Sequence, residues 1–187
     1  MTPSISMLDT TAAQDEQYRQ AVADYGPALV RLARAYEANP DTRQDLLQDV
    51  HLALWRSFAG FDNRCSLRTW VYRVAHNAAA SHVLRSRRAK TGSHVSLDEI
   101  EEQGGLPARD ENHPSLEQAQ ILDRLYAMIQ SLNPFDRQVI LLYLEGVDAA
   151  SIGEVTGISA GNVATKIHRI KTILIGRFRN GENHDQR

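Results

Sequence analysis

From Asp148 to Phe178 the chain carries the punctuation of two helices set about a fixed turn, and no other feature constrains the fold as tightly. Asp148 can cap a short helix reaching Thr156, Gly157-Ile158-Ser159 forms the turn, and Ser159 can cap a second helix to about Phe178. A glycine at that point supplies the left-handed backbone that follows a helix end. At about 100° per residue with Asn162 at zero, Val163, Ile167, Ile170 and Leu174 fall between roughly 80° and 140°. Asn162, Thr165, Lys166 and Arg169 fall between roughly -60° and 40°, on a separate face. The first set is a core stripe. The second, with Ser159 at the helix start, offers hydroxyl, amide, ammonium and guanidinium groups, which hydrogen-bond base edges and phosphates in a major groove. The spacing predicts a helix-turn-helix.

The rest of the chain also reads as helix. A first helix is expected over Gln14–Glu37, kinked or split at Gly26-Pro27. After Asn39-Pro40, Asp41 is expected to cap a second, in which Leu46, Leu47, Val50, Leu54 and Phe58 recur at helical spacing. Gly60–Arg64 is a loop, and Ser66 caps a third helix to about Arg88. Strand alternation is absent from this half. Thr91–Pro114, rich in acids and holding Gly104-Gly105, reads as a flexible linker. Ser115 opens a helix to about Leu132, and Asn133-Pro134 restarts another that ends at Gly146. The expected fold is all-α: a three-helix domain over 14–90 and a four-helix domain over 115–180, joined by the linker at 91–114. Residues 1–13 are expected to be disordered and 181–187 to form a tail.

Charge is segregated along this framework. The formal net charge is -2. Asn63–Leu97 nevertheless holds no acid and seven cations: Arg64, Arg68, Arg73, Arg85, Arg87, Arg88 and Lys90. A second acid-free stretch, Val155–Gly181, carries five cations, and Thr91–Glu117 between them has seven acids and one base. Two basic faces joined by an acidic segment suit bipartite binding to one polyanion. In such a chain the acidic linker would itself compete for the basic faces.

The third helix interleaves its cations with aromatics. Trp70 and Tyr72 are about 200° apart on a helix, so at least one is expected to be free to stack on a flat partner. Aromatics beside arginines suit unpaired bases, and Phe61 and Asn63 in the preceding loop could complete a pocket for an extruded base. On the second helix, Asp45, Gln48, Asp49 and Arg56 share a polar face that could dock a protein.

Other classes are excluded. The longest apolar run, Val139–Leu144, is far short of the roughly 18–20 residues that span a bilayer, so no membrane insertion is expected. Met1–Gln14 has no basic start and no apolar block, and the expected compartment is the cytoplasm. One cysteine, Cys65, excludes a disulfide framework and a cysteine-based zinc site. His76 and His82 lie about 240° apart on a helix, and neither a His-Glu-x-x-His pattern nor a glycine-rich phosphate loop is present. No catalytic residue, metal site or cofactor is expected.

Asp45-Leu46-Leu47-Gln48-Asp49-Val50, Leu54-Trp55-Arg56, Phe58, Phe61-Asp62, Leu67–Asn77 and Leu132–Arg169, in that order, resemble the bacterial extracytoplasmic-function sigma factors of the sigma-70 family. The resemblance implies sigma domain 2 and sigma domain 4 without a domain 3. It implies core RNA polymerase as a partner, through the beta-prime clamp helices and the beta flap, together with promoter DNA and an anti-sigma factor. Asp45, Gln48, Asp49 and Arg56 would then face the clamp helices. Phe61, Asn63, Arg64, Arg68, Trp70, Tyr72, Arg73, Asn77, Arg85, Arg87 and Arg88 would open and read the minus-10 element. Ser159, Asn162, Thr165, Lys166 and Arg169 would read the duplex minus-35 element. The alternative is a helix-turn-helix regulator that acts on duplex DNA without being a polymerase subunit.

Overall fold

The computed structural model describes residues 4–92 and 116–182, with side chains described at 11–86, 88 and 118–178. Seven α-helices and one 3-10 turn make up the described residues, which contain no strand. The N-terminal half is α1 (Ser4–Tyr36), α2 (Pro40–Ser57), the turn Phe58–Gly60 and α3 (Leu67–Gly92). The C-terminal half is α4 (Leu116–Gln130), α5 (Pro134–Leu144), α6 (Ala149–Thr156) and α7 (Ala160–Glu182). Apart from Thr91 and Gly92 at the end of α3, the expected acidic linker lies outside the described residues, as does any competition it exerts.

The start of the chain departs from expectation. Helix α1 begins at Ser4 rather than near Gln14, so most of the segment expected to be disordered is helical. It is anchored where Gln14 Nε2 donates to the Trp55 carbonyl (2.6 Å) and Trp55 Nε1 donates to Asp15 Oδ1 (2.8 Å). Pro27 does not split α1. Both Pro27 and Ala23, whose carbonyl it leaves unbonded, lie on the solvent face, where water can replace the lost bond. Asn39, not Asp41, caps α2: its side chain accepts from the Asp41 and Thr42 amides, with Pro40 at the first helical position.

Leu29, Leu32, Leu46, Val50, Leu54, Val71 and Ala75 form the core among α1, α2 and α3. Ile129, Val139, Leu142, Ile152, Val163 and Ile170 form the core of the second half. The halves also pack on each other, α1 against α4 and α5, and α3 against α5 and α6.

Candidate nucleic-acid interface

The helix-turn-helix is built by its caps and by two glycines. Asp148 accepts from the Ser151 amide (3.0 Å), the Ser151 hydroxyl (2.7 Å) and the Ala150 amide (3.0 Å), and these bonds hold its carboxyl below the usual carboxylate range. Gly157 takes φ +79° at the end of α6. A Cβ on Gly153 would sit 2.6 Å from the Ile158 carbonyl oxygen, so glycine at 153 is what lets the turn fold back onto α6. Ser159 Oγ accepts from the Asn162 amide at 3.3 Å.

On α7, Val163 and Ile170 are buried, and Ser159, Asn162, Thr165 and Arg169 are exposed. Lys166 differs from them. Its Nζ donates to Asp136 Oδ1 of α5 (2.5 Å) and lies 5.0 Å from the centre of the Phe135 ring. At roughly 40° on the helical wheel, Lys166 sits at the border of the core stripe, within reach of α5.

The loop before α3 also takes shape. Phe61 and Trp70 pack with ring centres 5.2 Å apart, Phe58 meets Phe61 edge-on, and Trp70 Nε1 donates to Ser57 Oγ (2.9 Å). Asn63 has φ +60° and is exposed. Arg64 donates to Asp62, which lowers the Asp62 pKa. Phe61, Asn63, Arg64 and a half-buried Trp70 therefore share one corner of the N-terminal half.

The other face of α3 is covered. Tyr72 is only 3% exposed, its ring 6.0 Å from that of Tyr25. Burial, and then the charge of Glu145, push its hydroxyl pKa up. Arg68 donates to the Glu145 carbonyl oxygen, and Arg73 Nη2 donates to the Glu154 carbonyl oxygen at 2.9 Å. The expectation that Tyr72, Arg68 and Arg73 present themselves to single-stranded DNA is thus not met in this arrangement. The wheel angle showed that Trp70 and Tyr72 diverge, but not that α3 is covered on both sides, by the Phe58–Phe61 turn and by α1 with the C-terminal half. Asn77 and Arg88 are exposed, and the Arg87 side chain lies outside the described residues. Arg85 is paired with Asp49 Oδ2 at 2.6 Å.

The polar face of α2 keeps Asp45, Gln48 and Arg56 exposed. Asp49 is half-buried, accepting from Arg85 and lying 3.0 Å from His82 Nδ1. Leu52, on the same face and 45% exposed, was not among the expected residues. Its position four residues after Gln48 and off the inner stripe was the available signal.

Cations hold the two halves together. Arg31 donates from Nε and Nη2 to the two carboxylate oxygens of Glu145, each at 2.7 Å. Arg34 pairs with Asp123, and its carbonyl accepts from Gln130 Nε2 at 2.7 Å. Buried Arg137 lies 5.2 Å from the centre of the Tyr36 ring, whose hydroxyl is 3.1 Å from His76 Nδ1. His51, by contrast, lies 3.0 Å from the Tyr18 hydroxyl.

Two all-helical domains, one ending in a helix-turn-helix and the other carrying an arginine–aromatic helix, define the class of fold. Two family models match the chain: Sigma-70 region 2 over residues 21–89, and Sigma-70, region 4 over residues 122–174. The RNA polymerase sigma factor CnrH of Cupriavidus metallidurans is 29% identical over 176 residues, covering 90% of this chain and 91% of that protein. The ECF RNA polymerase sigma-E factor of Escherichia coli K12 is 23% identical over 178 residues, covering 93% of each. Among solved structures, the sigma factor RpoE of Bartonella quintana in complex with the anti-sigma factor NepR shares the fold, with TM-score 0.67 and 19% identity over 87% of this chain and 96% of that one. CnrH in complex with the cytosolic domain of CnrY has TM-score 0.63 and 22% identity over 92% of this chain and 94% of that one. The chain belongs to the sigma-70 family, as an extracytoplasmic-function sigma factor. It directs promoter-specific transcription. Among the described residues, no helix is long and apolar enough to cross a membrane.

Proposed function

We propose that the two halves divide promoter recognition between them, with residues 14–90 acting as sigma domain 2 and 115–180 as sigma domain 4. The exposed face Asp45, Gln48, Leu52 and Arg56 docks on the beta-prime clamp helices, and the C-terminal half meets the beta flap. The Phe61–Arg64 corner with Trp70 takes a base out of the minus-10 element, while Asn77 and Arg88 follow the strand, joined by Arg68 and Arg73 once the two halves part. Asn162, Thr165 and Arg169 enter the duplex minus-35 element. The chain contributes no catalytic chemistry; that belongs to the core enzyme. As two structural neighbours are complexes with a protein partner, an inhibitory partner that holds the two halves is part of the reading.

The observation that supports this best is the presence of two cation-bearing helices, α3 and α7, in different halves of one chain. A duplex-only regulator would account for α6 and α7 and leave the Phe61–Trp70 corner without a role. Run-off transcription with purified core polymerase on a promoter library tests the reading. Promoter-specific transcripts are expected only when both proteins are present. Specific duplex binding by this chain alone, with no transcription in the reconstituted system, would favour the regulator.

A further inference from the structure

We propose that Asp136 is a positioning residue for promoter recognition: by holding Lys166 against α5, it restricts the reading set of α7 to Asn162, Thr165 and Arg169. The inference rests on the proposed reading of duplex DNA by α7. Asp136 is 5% exposed, far more buried than an ordinary surface partner. Its two oxygens are both occupied, Oδ1 by Lys166 Nζ at 2.5 Å and Oδ2 by Asn133 Nδ2 at 2.7 Å. Asn133 returns the contact by accepting from the Asp136 amide at 2.9 Å, so the carboxylate is fixed by the same bonds that cap α5. Burial alone would raise the Asp136 pKa. The hydrogen bonds from Lys166 and Asn133 and the charge of nearby Arg169 outweigh it and hold the group ionised.

The Lys166 ammonium therefore has a carboxylate at hydrogen-bond distance and the Phe135 ring beneath it. To reach a phosphate or a base edge it would have to leave both and strand a buried carboxylate. Arg169 and Thr165, further round the wheel, have no such tether to α5, and both are exposed. A helix whose sequence offers two cations to the groove thus presents one. Holding a long, flexible cation back removes a sequence-independent phosphate contact, which raises the share of binding that depends on base identity.

The test uses holoenzyme assembled from the full chain and core polymerase, selected on a duplex library randomised across the upstream promoter window. Affinity is then measured against salt on selected and random duplexes, and circular dichroism checks the fold of each variant. Lys166→Met is expected to leave the selected minus-35 motif unchanged, with affinity within about twofold, since the side chain makes no groove contact. Asp136→Asn keeps the shape and the Asn133 contact but frees Lys166. It is expected to steepen the slope of log K against log salt by about 0.9, the value of one added phosphate contact, and to raise binding to random duplex. Asp136→Asn with Lys166→Met should restore the parental slope, which a general loosening of α5 would not do. A minus-35 base preference lost in Lys166→Met, or an unchanged slope in Asp136→Asn, overturns the proposal. Asn162→Ala and Arg169→Ala separate the two layers. Motif loss in these variants upholds the underlying reading whatever the Asp136 variants do. An unchanged motif in both removes that reading and the proposal with it.

Discussion

His76 is buried in the N-terminal half with the Tyr36 hydroxyl against its Nδ1, and burial pulls its pKa down to about 3 from 6.5. The unfolded chain therefore takes up a proton near pH 6.5 that the folded chain refuses until about pH 3. Stability from this site is complete above pH 6.5 and is lost as the pH falls toward 3, at about 1.4 kcal/mol per pH unit. Chemical denaturation measured between these limits should show that slope, and His76→Gln should flatten it by about one proton while keeping a polar partner for Tyr36. An identical slope in the variant would assign the acid sensitivity elsewhere; His51, also lowered by burial, is the next group to test. Gly153 presents a steric rather than an electrostatic constraint. A Cβ placed 2.6 Å from the Ile158 carbonyl must push the turn away from α6. Gly153→Ala should cost about 1–3 kcal/mol of stability, read from the urea midpoint, as a small-to-large change against backbone. Gly161, with nothing near its Cβ position, is the control, and Gly161→Ala should be neutral or better.

Among the elements, α2 has the most direct test of its outward face. Asp45, Gln48 and Arg56 are exposed there and Leu52 stands among them, an apolar side chain in a polar ring, as in interface centres. Asp45→Lys with Leu52→Ala should weaken assembly with core polymerase by tenfold or more, about 1.4 kcal/mol or above, with the helical spectrum unchanged. Unchanged affinity would move the docking surface off α2. Helix positions were legible because caps are local. Ser66, Asn133, Asp148 and Ser159 each bond the amides that their place in the sequence assigns them. The Asn39 cap was missed because both Asn39 and Asp41 are good caps, and only the Pro40 ring at the first helical position decides between them. Side-chain availability was less legible. Nothing in the spacing of Arg85 or Lys166 shows that Asp49 and Asp136, 36 and 30 residues away, hold them. Ion pairs of this kind are set by tertiary packing, which a helical wheel omits.

For the whole molecule, the central fact is that the C-terminal half covers part of the helix expected to meet DNA. Glu145 sits at the centre of that cover, taking two hydrogen bonds from Arg31 through its carboxylate and one from Arg68 through its carbonyl. Beside it lies a cleft of about 330 Å³ lined by Tyr25, Arg31, Arg68 and Tyr72, so the seam is polar and incompletely filled. Arg31 is half exposed, and an ion pair of that kind contributes about 0–1 kcal/mol. A seam built from several such contacts can part without unfolding either core, as use of Arg68, Tyr72 and Arg73 on a DNA strand would require. Glu145→Ala would remove only the carboxylate and leave the Arg68 bond to the backbone. Glu145→Lys replaces an attraction with a repulsion beside both arginines and is the stronger test. Small-angle scattering of the Glu145→Lys protein should show a larger radius of gyration than the parent, with the difference shrinking at high salt as the new repulsion is screened. Binding of the free variant to single-stranded minus-10 DNA should rise in step, because Arg68 and Arg73 lose their carbonyl partners when the halves separate. A larger radius without stronger binding would mean that the covered face of α3 is not where the strand binds. An unchanged radius would place the hold between the halves at Arg137 and Tyr36 instead, where the contact is buried and salt should have little effect.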